Sequence, residues 1–271
     1  MEKVSIIIPV KNLEDNNLNT CLSSIEKQTY GQIETIIVSD ENNFSEYEKL
    51  NKSFDFKFER SSFPGRSFAR NKGIELAHGQ NILFLDSDQE LSENTVEECT
   101  KKIKNNDFLS IKELNLPKEF WSKVFNYEFQ IWFWNTKRDI PRFFRTSLVK
   151  RIGGYDTSLE FGEDWDLAER AREISAREDF VSNTLITHHI RSDFLSVIKK
   201  HYKYGKYLND LIKKHKSKTL VMYSGLNLRV FANMLKYFSK NPVYTSLAIL
   251  THFIKYLAVG AGYIAQKFYE T

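Results

Sequence analysis

Cysteine is nearly absent from this chain of 271 residues, with only Cys21 and Cys99 present. Neither has metal-ligand or redox spacing, so a disulfide scaffold, a zinc site built on cysteines and a Cys-x-x-Cys redox pair are excluded, and both are expected as small buried side chains in helices. A secretory leader is not expected either. Glu2 and Lys3 run directly into Val4–Val10, which is too short and too β-branched for a signal core and is interrupted by Pro9. Internal repeats and low-complexity tracts are missing. So is a glycine-rich loop after the first apolar run, where Pro9-Val10-Lys11-Asn12 stands instead, which argues against a nucleotidyltransferase. The longest apolar stretch, Pro242–Ala265, is broken by His252 and Lys255. A lysine near the middle of a membrane span costs roughly 2.5–3.5 kcal/mol. Leu247, Leu250, Phe253 or Ile254, Leu257, Ala261 and Ile264 recur there at helical spacing, which predicts an amphipathic helix lying in an interface or packing on a domain.

What is present is the composition of a globular protein, 41% hydrophobic and 27% charged, enough for a sizeable α/β core. The net charge of +4 is unevenly placed: Arg191 to Lys240 holds twelve Lys or Arg against two Asp. Such a segment favours phosphate-rich partners, an anionic membrane surface or nucleic acid.

Val4–Val10 and Ile33–Val38 read as buried strands, with a helix from about Leu18 to Gln28 between them. A helix near 44–53 and a strand near 56–59 follow. The next helix, from about Arg66 to Ala77, stops at His78-Gly79, and Asn81–Leu85 is another core strand. Strands separated by helix-length segments imply a mostly parallel sheet flanked by helices, with ligands at the carboxyl ends of its strands. Asp40, Asp86 and Asp88 all sit just past such ends. Asp86 and Asp88 lie at i and i+2, which along a strand puts them on one side. Two carboxylates there suit a hard cation such as Mg²⁺ or Mn²⁺, with phosphate and water completing its shell.

Val4–Val10, Val38–Asn43, Ala69-Arg70-Asn71-Lys72-Gly73, Ile82–Asp88, Gly153-Gly154-Tyr155-Asp156 and Gly162-Glu163-Asp164-Trp165-Asp166-Leu167 follow one another in this order. The series resembles the inverting glycosyltransferases of family 2, whose GT-A (Rossmann-like) fold binds nucleotide sugars. These stations fall within a domain read at 1–190, followed by a basic, amphipathic helical region at 191–271. The resemblance implies a UDP- or GDP-linked donor and a hydroxyl acceptor on a glycan or polyprenyl-linked sugar. Pro9, Val10 and Lys11 would line the nucleotide cleft, and Asp40 would accept from the base. Arg70 and Arg66 would lie near the diphosphate, where a guanidinium fork suits phosphate. Asp86, with Ser87 beside it, would contact the ribose or the metal, and Asp88 would ligate the Mn²⁺ or Mg²⁺. One of His188 and His189 would complete the metal shell. Asp164 matches the catalytic base, with Glu163 in reserve. Trp165 and Arg145 are expected acceptor contacts, and Asp166 would hold either the helix or the acceptor. Two departures stand out. Ser39-Asp40-Glu41-Asn42 replaces the usual pair of acids and Gly-Ser, and Ser175-Ala176-Arg177 replaces a glycine after the helix of the catalytic acids.

Seven aromatic residues between Trp121 and Trp134, with the basic stretch and the apolar C-terminal helix, suggest a peripheral protein on the cytoplasmic face of an anionic membrane. The rival reading is a catalytically inactive nucleotide- or nucleic-acid-binding protein whose aromatics stack bases. It leaves the acids after the strand ends unexplained, so no nucleic-acid partner is expected.

Overall fold

The computed structural model describes residues 1–11, 16–39, 44–132, 141–188, 193–223 and 228–270. The chain divides into two compact units, one of Met1–Leu114, Asp139–Ser158 and Glu163–His188, the other of Asn115–Arg138, Leu159–Gly162 and His189–Thr271.

The first unit begins with β1 (Val4–Val10), α1 (Asn16–Glu26), β2 (Ile33–Ser39), α2 (Phe44–Asn51), β3 (Lys57–Arg60), α3 (Arg66–Leu76) and β4 (Asn81–Phe84). β5 (Gln89–Leu91), α4 (Thr95–Lys102) and β6 (Phe108–Asn115) follow. The chain then contributes α5 (Phe120–Trp132) to the second unit and returns with β7 (Pro141–Arg145), α6 (Thr146–Arg151), α7 (Glu163–Glu173) and β8 (Glu178–His188). The eight strands form one sheet in the order β3-β2-β1-β4-β7-β6-β8-β5. β3, β2, β1 and β4 run parallel, as the strand–helix alternation of the first 85 residues dictates. The pairs β4/β7, β6/β7 and β5/β8 are antiparallel, so the sheet is mixed.

β1 is buried at every position, as a central parallel strand covered on both faces must be. α3 can lie against it because Gly73 has no side chain: a Cβ there would sit 2.4 Å from Ile7 Cγ2. Val10 pairs with Ser39 and Ile7 with Phe84, so the segments that follow β1, β2 and β4 emerge along one edge. Cys21 and Cys99 are buried on α1 and α4.

The opposite edge is fastened by Glu34. Its carboxylate accepts from the Ser5 hydroxyl (2.6 Å) and from the N–H groups of His78 (2.7 Å) and Gly79 (3.1 Å). Lys3 and Lys57 stand 3.4 Å away. Burial alone would raise this carboxyl's pKa, but those donors and cations outweigh it and hold it down at about 2. A depressed folded-state pKa contributes stability above the unfolded value and loses it as pH falls towards the folded one. Glu34→Gln is therefore expected to cost about 2 kcal/mol near neutral pH and to flatten the acid limb of the melting curve between roughly pH 4.5 and 2. Thermal melts across that range check it.

α7 ends where the family pattern has glycine. Ser175 adopts φ 59°, while the Ala176 N–H reaches back to Ala171 O at 3.1 Å, a Schellman-type stop that favours glycine. Ser175→Gly is expected to stabilise the fold by about 0.5–1 kcal/mol, read from urea denaturation midpoints.

The second unit comprises α5, α8 (Phe194–Tyr223), α9 (Leu228–Lys240) and α10 (Pro242–Glu270). Ile131, Trp132, Val230 and Ala248 form its core. α8 and α10 cross with backbones in contact, since a Cβ at Gly205 or at Gly262 would fall 2.0 Å from Val259 O or Tyr202 O. Inside the unit, Glu128 of α5 accepts from His252 Nδ1 and Lys255 Nζ of α10, and His252 stacks on Trp132 with ring centres 3.8 Å apart.

Candidate active site

The site is built around a buried arginine. Arg70, on α3, is fully enclosed, and its guanidinium faces three carboxylates from two chain stations. Nη2 donates to Asp86 Oδ1 at 2.9 Å, while Nη1 lies 3.2 Å from Glu163 Oε1 and 3.1 Å from Asp164 Oδ1. The Tyr155 ring covers the cation, 5.0 Å from its central carbon, and the Tyr155 hydroxyl donates to Asp164 Oδ1 at 3.1 Å. Asn71 fixes that tyrosine through its backbone, accepting from Tyr155 N–H and donating to Tyr155 O, each at 2.8 Å. The Arg70-Asn71 and Gly154-Tyr155 stations thus hold each other. Gly154 is required at their contact: it has φ 68°, and a Cβ there would meet Asn71 Oδ1 at 2.6 Å.

Asp86 is engaged from both sides. Arg142 of β7 donates from Nη1 to Asp86 Oδ2 at 3.0 Å and from Nε to Glu113 Oε1 at 2.8 Å. Burial works against the Asp86 carboxylate, but Arg142 and Arg70 overcome it and hold its pKa far below the usual carboxylate range. Glu163 goes the other way: burial, then the neighbouring charge of Asp164, raise its pKa despite Arg66 and Arg70. Arg142 was not foreseen from the sequence. Its signal was a charged residue among buried neighbours in Pro141-Arg142-Phe143-Phe144, a position that demands ionic partners.

The expected metal ligands fall in a different pattern. β4 ends at Phe84, so Asp86-Ser87-Asp88 forms a turn, and strand parity does not apply to it. The turn is closed by Gln89, whose N–H donates to Asp86 O and whose Oε1 accepts from Asp86 N–H, both at 3.0 Å. Asp88 Oδ2 meets His188 Nε2 at 3.0 Å. Burial opposes the charged imidazole, but Asp88, with Glu113 and Asp86 beyond it, raises the His188 pKa. Among the described residues no three of His, Cys, Asp and Glu converge to hold a metal unaided. Asp88 with His188 is an oxygen–nitrogen pair, partly open to solvent, that fits Mn²⁺ or Mg²⁺ whose shell is completed by phosphate and water. Both oxygens of Asp86 are engaged by arginines.

Pro9 and Val10 are buried at the end of β1, and Lys11 is exposed just beyond it. Arg66 is exposed, 3.6 Å from Glu163 Oε1. Asp40 and His189 lie outside the described residues. Trp165 is half-buried beside Asp164 in the first turn of α7. The other two expected acceptor contacts are used within the protein. Asp166 is fully buried and bound to Arg170 at 2.8 Å, and Arg170 also holds the carbonyls of Ile152 and Gly154. Arg145 donates to the carbonyls of Asn106 and Ile103 at 2.9 and 2.7 Å. It pairs with Asn81, the first residue of β4, at the end of that strand remote from Asp86.

A parallel half-sheet extended by antiparallel strands, with acids gathered beyond its strand ends and a further acid pair at a helix start, is the architecture of the GT-A fold. The sequence model described as Glycosyl transferase family 2 matches residues 5–150, and the chain belongs to that family and is a glycosyltransferase. It is 26% identical over 223 residues to the uncharacterized glycosyltransferase MJ1057 of Methanocaldococcus jannaschii, covering 75% of this chain and 77% of that one. It is 37% identical over 91 residues to WfaP of Escherichia coli, a UDP-Glc:alpha-D-GlcNAc-diphosphoundecaprenol beta-1,3-glucosyltransferase, covering 32% of this chain and 36% of that one. The mannosyltransferase PcManGT of Pyrobaculum calidifontis, solved with GDP-Man and Mn²⁺, shares the fold with a TM-score of 0.66 at 14% identity, over 97% of this chain and 87% of that one.

Proposed function

We propose that this glycosyltransferase moves a sugar with inversion from a UDP- or GDP-linked donor to a hydroxyl of a glycan or lipid-linked sugar, at the cytoplasmic face of a membrane. The observation that carries this reading is the gathering of Asp86, Glu163 and Asp164 on buried Arg70. It ties the turn after β4, where the diphosphate is proposed to sit, to the start of α7, where the acceptor is proposed to be deprotonated. Asp164 is the base. Its Oδ1 is occupied by Tyr155 and Arg70, which orient the carboxylate and leave Oδ2 without a protein partner among the described residues. That oxygen takes the acceptor proton on the face opposite the departing diphosphate. Glu163, more deeply buried, sustains the charge balance around Arg70.

Pro9, Val10, Lys11 and Ser87 border the donor cleft, Asp40 receives the base, and Arg66, the exposed arginine, is placed to meet the diphosphate. Asp88 and His188 would hold the divalent metal, with His189 as the other candidate. A metal bound there supplies Lewis-acid stabilisation of charge on the leaving diphosphate. Trp165 offers an apolar face to the acceptor sugar. The relatives support both nucleotides and a lipid-linked acceptor through what WfaP and PcManGT are named for or bound to.

The test is slow hydrolysis of a panel of UDP- and GDP-sugars, with and without Mn²⁺. Release of one nucleotide, dependent on metal and reduced at least 100-fold in Asp88→Ala, is expected. Silence across the panel, with no donor binding by calorimetry, would contradict the reading.

A further inference from the structure

We infer that α10 lies in the plane of an anionic membrane, held by an apolar stripe on its outer face, and does not span the bilayer. The helix is long and apolar enough to cross a membrane by length and composition, yet the sequence places His252 and Lys255 in its middle. The structure turns both inward. They are bound to buried Glu128 of α5, and Lys255 also lies 4.3 Å from the centre of the Phe125 ring. The outer face therefore carries no charged side chain between Val243 and Ile264. Val243, Leu250, Phe253, Leu257, Ile264 and Phe268 are 54–79% exposed and recur every three, four or seven residues, which is one side of a helix. From Val243 to Phe268 the stripe runs about 38 Å at 1.5 Å per residue. An apolar patch of this extent marks an interaction surface.

Two observations choose the membrane as its partner. The segment preceding α10, Arg191 to Lys240, has its surplus of ten positive charges, and α9 exposes Leu235 and Phe238 beside Lys236 and Lys240. Apolar side chains next to lysines match acyl chains beneath anionic headgroups. Spanning is opposed by the packing. The inner side of α10 is fixed to α8 through Gly205 and Gly262, and α8 carries Lys199, Lys200, Lys203, Lys206, Lys213 and Lys214, a helix that cannot enter hydrocarbon with it.

The test is flotation of the full chain with vesicles of phosphatidylcholine containing 30% phosphatidylglycerol, by wild type and by the triple variant Leu250→Glu/Phe253→Glu/Leu257→Glu. The three positions are solvent-exposed, and circular dichroism melts check that the variant folds. Wild type is expected to float, with at least a tenfold lower bound fraction on pure phosphatidylcholine and in the triple variant. Alkaline carbonate is expected to strip the protein from cell membranes. Failure to float, flotation indifferent to the triple variant, or resistance to carbonate overturns the inference. So does a dimer in sedimentation that the triple variant dissociates without any flotation, because the stripe would then face a second copy. The inference stands on the helical unit alone, so a chain that floats but cleaves no donor retains it while the proposed function fails.

Discussion

Asparagine at position 164 is expected to lower transfer by about 10³-fold while leaving donor binding within a few-fold of wild type. The size follows from removing a positioned general base, which contributes 10²–10⁴-fold. The selectivity follows from geometry. Asparagine keeps the shape and an oxygen that accepts from Tyr155 and Arg70, so the cluster stays assembled, but the amide cannot take the acceptor proton. Part of what raises the Glu163 pKa is the Asp164 charge, so the same variant should move the Glu163 titration downward, towards the ordinary range. Single-turnover kinetics beside donor calorimetry separates the two effects. Equal losses in both would make Asp164 a scaffold for the donor and not the base.

Methionine in place of Arg70 is expected to have the largest effect on stability, about 3–5 kcal/mol, and to abolish activity with it. Removing one member of a buried ionic cluster leaves the other charges unpaired. Here Asp164 would lose its cation, while Asp86 and Glu163 would keep only Arg142 and the exposed Arg66. Burial works against the charged arginine, but Asp164, Tyr155, Asp86 and Glu163 together hold its pKa well above the usual value. Arg70→Lys should recover part of the stability but little activity, because an ammonium cannot reach three carboxylates with a planar fork. Urea denaturation read beside nucleotide release checks both variants. A methionine variant as stable as wild type would dismiss the cluster as an organising device.

The first half of this fold was written plainly in the sequence because each element there is decided locally. Val4–Val10 is a β-branched run with a proline near its end, and Arg66–Leu76 is a helix stopped before glycine. Of the antiparallel half, Val181–Thr187 reads as a strand and lies within β8, but the other strands and the pairing were not visible. β5 and β7 have three and five residues, too short for a periodicity signal, and their pairing is set by tertiary contacts. The acids of the site could be named from their stations, but their roles depended on which cations reached them. Arg70 reads as a residue near the diphosphate, and the structure adds three carboxylates around it. Asp166 reads as holding either the helix or the acceptor, and Arg170 is found holding it within the helix. Asp86 and Asp88 looked like a pair on one strand face, and the early end of β4 made them parts of a turn with separate partners. In the second unit, Lys255 looked like a break in an apolar run because a hydropathy profile has no sides. Its partner Glu128 lies 127 residues away.

The measurement closest to the central claim is the anomeric configuration of the sugar released when the α-linked donor is slowly hydrolysed in the presence of Mn²⁺, followed by proton NMR before mutarotation equalises the anomers. With Asp164 directing attack on the face opposite the diphosphate, the β-anomer is expected to appear first, and Asp164→Asn should remove that signal. Initial appearance of the α-anomer would contradict the assignment of Asp164 and the inverting mechanism together.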